Sequence, residues 1–275
     1  MVRFLKIPVM AVLVIAVAIS ASFAGEPVLL MATTTSTDNT GLLDVLAPEF
    51  LKDTGIELRW VSVGTGKALE LGKNRDVDVL LVHAPDLEKE FVEDGYGVNR
   101  REFMYNDFVI IGPARDSAKI RGKSVKDALR AISEGNHSFA SRGDMSGTHV
   151  MELGLWEMAG IKQPEKEKWY IQTGQGMLNT ITIAAERGAY TLTDRGTFIK
   201  YEDNQQGNPP LVIIVEGDNQ LFNQYSVVAV NPIGAQHIHY DLALRFSDWI
   251  RSVRVQKIIG DFNLLGKTLF VPDAK

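Results

Sequence analysis

The chain has 275 residues with 29 Lys and Arg against 34 Asp and Glu, a formal charge of −5, and no cysteine. Disulfides, thiolate nucleophiles and Cys-based metal sites are therefore excluded, and so is a lipid on a cysteine after an export signal. An acidic balance makes nucleic acid and anionic membrane poor partners, although it leaves room for an anion held by local dipoles and one or two placed cations.

Arg3 and Lys6, an apolar run from Pro8 to Ile19, and small residues at Ser22 and Ala24 predict a secretory signal over residues 1–24, cut after Ala24. The run is shorter than the roughly 20 residues that a membrane span needs. The exported chain is then periplasmic, and it is more acidic because the signal carries two basic residues and no acidic one.

Glu26–Ala32 reads as a buried strand that enters a hydroxyl-rich turn, Thr33-Thr34-Thr35-Ser36-Thr37. Leu42, Leu43, Leu46, Phe50 and Leu51 have helical spacing, and Thr54-Gly55 closes that helix. Ile56–Val63 is the next strand and leads into Gly64-Thr65-Gly66-Lys67, with a short helix over Lys67–Leu71. Asp76–Val82 is a third strand, followed by a helix from Leu87 to Glu93. Strand and helix alternate, which predicts an α/β fold with a largely parallel sheet.

Asn106–Pro113 is an apolar strand stopped by Gly-Pro, and Val125–Ile132 is a helix. Ser138-Phe139-Ala140 then enters Ser141-Arg142-Gly143-Asp144-Met145-Ser146-Gly147-Thr148-His149, which opens an amphipathic helix, Val150–Met158. Beyond it come a strand at Trp169–Thr173, a helix at Leu178–Glu186, a strand at Gly188–Arg195 and a strand at Leu211–Val215. Tyr225–Pro232 has the character of the 106–113 strand, and His237–Ile259 reads as helical. The two similar strands predict crossovers between two lobes. Residues 25–106 and 227–275 would form the first lobe, with residues 107–226 inserted as the second.

Three turns lead from strands into helices, where free backbone N–H groups at the positive end of a helix dipole favour an anion. Hydroxyls at Thr34, Thr35 and Ser36 donate without adding charge; the same run also suits ordinary helix capping. Val63–Ala68 fails as a nucleotide P-loop, because Val61 and Ala68 stand where Gly and Ser or Thr are required. Thr65 remains a candidate for a single tetrahedral oxyanion. Arg142 offers a fixed fork of donors, with Ser146 and Thr148 at the helix start. The competing readings are a capped helix with Arg142 paired to Asp144, and a hydrolase that uses Ser146 and His149. Thr173, Gly174, Gly176, Tyr190, Thr193 and Asp194 stand at second-lobe turns that could complete a cleft. No His spacing suits a metal.

These runs together with Tyr105-Asn106-Asp107-Phe108-Val109 resemble the tungstate-binding proteins of ABC importers, relatives of the molybdate and other oxyanion-binding periplasmic proteins. The resemblance spans nearly the whole exported chain. It implies the type II periplasmic-binding fold, with two α/β lobes joined by two crossing strands and the anion in the cleft. It also implies a receptor rather than an enzyme, with tungstate or molybdate as its ligand and no cofactor. The partners implied are the permease and ATPase subunits of an importer, served by a monomer. The family's binding groups would fall on Thr34, Thr35, Ser36, Thr65, Arg142, Ser146 and Thr148.

Overall fold

The computed structural model describes residues 26–162 and 164–274; the export signal and the cut after Ala24 lie outside the described residues. Strand β1 (Val28–Thr34) runs into the single turn α1 (Thr35–Asp38) and then α2 (Leu42–Thr54). Next come β2 (Glu57–Val63), α3 (Thr65–Asn74), β3 (Val79–Val82) and α4 (Pro85–Glu93). The long β4 (Gly97–Pro113) leads to α5 (Val125–Glu134), β5 (Phe139–Ser141), α6 (Gly147–Met158) and β6 (Tyr170–Gln172). After these stand α7 (Met177–Arg187), β7 (Tyr190–Asp194), α8 (Arg195–Asn204) and β8 (Leu211–Val215). Then β9 (Phe222–Val230) returns, followed by α9 (Tyr240–Ile250), α10 (Val253–Asp261), β10 (Asn263–Leu264), β11 (Lys267–Thr268) and β12 (Val271–Pro272).

In the first half β1 lies between β2 and β3, parallel to both. In the second, β5 lies parallel to β6 and β7. Between these parallel sets run β4 and β9, antiparallel to each other, with Asn106 opposite Asn223 and Asp107 opposite Phe222. β9 is also antiparallel to β3, and β4 to β7, β8 and β12. The sheet is therefore mixed rather than largely parallel. A strand that leaves one half and a strand that comes back must run in opposite directions, and both sit in the middle of the order β2-β1-β3-β9-β4-β7-β5-β6.

Several element bounds differ from expectation. β4 begins at Gly97, nine residues before the apolar run, because Arg100, Arg101 and Glu102 are carried in it on pairing with β9. The predicted helix His237–Ile259 is two, with Ser252 capping the second by accepting from the N–H of Val255. The hydroxyl run is itself helical as α1, not a bare turn before α2.

Apolar clusters cover both faces of each half. Phe50 of α2 packs edge-on against Phe246 and tilted against Trp249, with ring centroids 5.1 and 5.0 Å apart. In the second half Val125, Ala128, Leu129 and Ile132 of α5 are buried at helical spacing, beside Phe139, Trp156 and Tyr170. This packing fixes the strand ends from which the three turns project.

Candidate functional site

At the end of β1 the hydroxyl run divides its tasks. Thr33 is buried and donates to the carbonyl of Leu81 at 2.8 Å, tying β1 to β3. Thr34 caps α1: its Oγ1 accepts from the N–H of Thr37 at 3.2 Å and lies 2.7 Å from Thr37 Oγ1 and 3.0 Å from Ser36 Oγ. Thr35 is exposed and Ser36 half-buried, and both line a cavity of about 280 Å³. One further residue enters from the end of β3, where His83 sets Nε2 3.0 Å from Thr34 Oγ1 and 3.1 Å from Ser36 Oγ. No motif in the sequence marks this histidine.

The second turn leaves β5 at Ser141 and bends through left-handed backbone at Gly143 (φ +63°) and Met145 (φ +57°). A side chain at position 143 would also meet Gln172 Cβ at 2.9 Å, so the turn needs glycine there. Arg142 donates from Nε and Nη2 to Asp144 Oδ2 at 3.1 and 2.6 Å, while Asp144 Oδ1 accepts the N–H of Ser146 at 3.1 Å. Partial burial works against ionisation of Asp144, yet the hydrogen bonds from Ser146 and the Arg142 guanidinium hold its carboxyl below the usual range. Arg142 thus has the acidic partner that the capping reading anticipated, and it also lines the cavity that holds Thr35 and Ser36.

The hydrolase reading is corrected here. Ser146 caps α6, its Oγ accepting the N–H of His149 at 3.4 Å, and His149 Nδ1 accepts the N–H of Met145 at 3.0 Å. Both side chains hold the turn together, and burial lowers the basicity of His149.

Beneath this turn Glu152 is buried at 2 % exposure, accepting from Trp156 Nε1 at 3.1 Å and Tyr170 Oη at 2.6 Å. Burial lifts its carboxyl to about 7 from 4.5, although hydrogen bonds from Tyr170, Ser141 and Trp156 pull the other way. Ser141 Oγ in turn accepts the N–H of Gly143 at 3.2 Å, so the acid floors the Arg142 loop. The folded protein holds this proton more tightly than the unfolded chain does. The contribution of Glu152 to stability is therefore full below pH 4.5 and is lost as pH rises through about 7. Thermal unfolding from about pH 5 to about pH 8 is expected to show a loss approaching 3 kcal/mol that Glu152→Gln removes. Parallel curves for the two proteins would refute the assignment.

Of the site residues expected from sequence, Thr35, Ser36 and Arg142 line the cavity, while Thr34, Thr65, Ser146 and Thr148 do not. Thr65 is buried at the first position of α3, whose Gly64 cap has no side chain to cover the open N–H groups. It stands against Gly147: a Cβ there would lie 2.9 Å from Thr65 Oγ1 and 3.9 Å from His83 Cε1. Thr65 therefore meets the α6 start between Ser146 and Thr148, and His83 lies between that junction and the Thr34–Ser36 turn.

The rest of the cavity comes from residues that the sequence left unassigned. These are Asn39, Thr40 and Leu264 from the first half, Met177, Leu178 and Asn179 at the start of α7, and Gly196, Thr197 and Lys200 on α8. Lys200 Nζ donates to the carbonyl of Asn39, joining the halves across the cavity rim. Of the second-half turn candidates, Gly176 lines the cavity and Asp194 caps α8 beside it, accepting from Thr197 N at 2.8 Å. Thr173 instead pairs with Thr180 at 2.8 Å, and Tyr190 donates to Asp116 at 2.8 Å; neither lines the cavity.

Residues 21–254 match a PBP superfamily domain. The chain is 51% identical over 241 residues to the tungstate-binding protein TupA of Campylobacter jejuni, covering 87% of this chain and 89% of that protein. The solved structure of the tungstate-binding protein TupA from Desulfovibrio alaskensis G20 is 62% identical, with a TM-score of 0.85 over 90% of this chain and 100% of that one. A solved structure titled as the tungstate ABC transporter from Geobacter sulfurreducens is 48% identical, with a TM-score of 0.77 over 86% of this chain and 100% of that one. Two α/β halves joined by antiparallel crossing strands, turns of hydroxyls and helix starts meeting between them, and identity sustained along the chain place this protein among the tungstate-binding proteins of the PBP superfamily, with the type II periplasmic-binding fold.

Proposed function

We propose that this protein captures tungstate where the Thr34–Ser36 turn, Thr65 and the Arg142–Thr148 loop converge, and delivers it to the permease of an ABC importer driven by a separate ATPase subunit. The observation that carries this reading is the approach of Thr65 to Gly147, with Arg142 facing Thr35 and Ser36 across one cavity. A dianion that leaves water needs a full set of donors. Neutral hydroxyls and helix-start N–H groups supply most of them, and a single guanidinium adds charge-assisted bonds. Residues 25–106 with 227–275, and residues 107–226, act as lobes that close on the anion about β4 and β9. The protein works as a monomer in the periplasm after cleavage behind Ala24. The anion is cargo, and no cofactor takes part.

Calorimetric titration of the chain from Gly25 onward, freed of bound anion, tests this. Tungstate is expected to bind tightly at one site per chain, with molybdate weaker and sulfate and phosphate weaker again. Equal binding of tungstate and molybdate would widen the cargo to both anions. No heat from any of the four would overturn the reading and leave the three turns as helix caps.

A further inference from the structure

His83 is 7 % exposed and stacks on Tyr225, with ring centroids 4.7 Å apart and an interplanar angle of 24°. Its Nδ1 lies 2.8 Å from Asn223 Oδ1, and the Asn223 amide nitrogen donates to Asn106 Oδ1 at 2.6 Å. That second bond sets the amide so that its oxygen faces the ring, which places the imidazole proton on Nδ1 and leaves Nε2 a bare lone pair. Two hydroxyls converge on that lone pair, Thr34 Oγ1 at 3.0 Å and Ser36 Oγ at 3.1 Å. It accepts one of them. One hydroxyl proton of the turn is thus directed inward, where it cannot serve an oxyanion.

We propose that His83 takes up one proton from solvent when the oxyanion binds, changing Nε2 from acceptor to donor and releasing the inward-directed hydroxyl proton of the Thr34–Ser36 turn toward the anion. His83 is then a positioning residue acting through the α1 turn, and the inference rests on that turn being part of the oxyanion site. One N–H bond forms, and the imidazolium charge is balanced by the incoming dianion. Burial disfavours this charge, so the ring is neutral until a nearby anion offsets it.

Among the described residues, two carboxyl side chains act on the charge of the ring. Asp194 at the start of α8 accepts from Thr197, and Glu88 of α4 accepts from Ala84 N and Arg100 Nε. Both favour the imidazolium. The groups that β9 and α1 present to the ring, Asn223, Tyr225, Thr34 and Ser36, are neutral, and the α6 start approaches it through Gly147.

The test is tungstate calorimetry at about pH 7.5 in buffers of different ionisation enthalpy, with Kd followed across pH. Wild type is expected to take up about one proton per anion, its affinity rising by up to about tenfold for each pH unit lowered. His83→Gln, whose amide offers a permanent N–H to the turn, should still bind, with no proton uptake and a flat profile. His149→Gln, which removes the other histidine of the site, should keep the uptake. Tungstate binding by wild type with no proton taken up would overturn this inference alone, whether or not the variant folds. Uptake that survives in His83→Gln would do the same. Absence of any tungstate binding by wild type would instead sink the oxyanion reading on which the inference stands.

Discussion

Arg142→Ala is expected to weaken tungstate binding by roughly thirty-fold to several-thousand-fold, the range of about 2–5 kcal/mol found when one member of a hydrogen-bonded charge pair is truncated. Two effects add. The guanidinium is the charged donor that the second turn presents to the cavity shared with Thr35 and Ser36. It also neutralises Asp144, whose carboxylate accepts from both Nε and Nη2. Without the arginine, the Asp144 charge stays in place, held by the Ser146 N–H, and repels an incoming dianion. Arg142→Lys keeps a positive charge but not the planar fork, so its loss should fall between wild type and alanine. Unfolding in the absence of anion should change little, because the Arg142–Asp144 pair joins two residues of one loop near the surface. A Kd for Arg142→Ala within about threefold of wild type, a change worth under about 1 kcal/mol, would remove Arg142 from the site.

The alternation of strand and helix was legible because apolar periodicity reports which residues face a core. It does not report which way a strand runs. The antiparallel β4 and β9 therefore escaped a reading that extended the parallel pattern through the whole sheet. The first half of β4 was hidden for a related reason: Arg100, Arg101 and Glu102 interrupt its apolar run, and Arg100 is held within the fold by ion pairs to Glu88 and Glu102. Among the turns, those with several hydroxyls or an arginine announced themselves by composition. Past the Gly176 turn, the starts of α7 and α8 contribute Met177, Thr197 and Lys200, a set with no local signature. His83 is the sharpest case. It lies 49 residues from Thr34 in sequence and 3.0 Å from it in space, because β3 pairs beside β1. Only the strand order makes that neighbour visible.

Gly147→Val is expected to weaken tungstate binding by at least about a hundredfold while leaving the anion-free protein folded. Gly147 opens α6 with its Cα against the other half of the molecule. A Cβ there would stand 2.9 Å from Thr65 Oγ1, closer than real contacts allow, and 3.9 Å from Thr65 Cβ. The nearest atoms it would meet beyond its own helix lie across the cleft, on Thr65 and His83. The added side chain therefore acts as a wedge between halves rather than a fault within one. Both halves keep their own cores, and a surface-type effect on unfolding, within about 1 kcal/mol, is expected when no anion is present. Binding differs because the donors of the proposed site belong to both sides: Thr34, Thr35, Ser36 and Thr65 on one, Arg142, Ser146 and Thr148 on the other. Halves held apart can offer only one set at a time. Losing even two charge-assisted hydrogen bonds at about 1.5 kcal/mol each removes about 3 kcal/mol, which is the hundredfold. Solution scattering separates this cause from a loss of donors alone. Wild type should contract on adding tungstate, and Gly147→Val should keep one radius of gyration with and without it. Tight binding by the valine variant, with contraction intact, would mean that the anion sits elsewhere than between Thr65 and the α6 start.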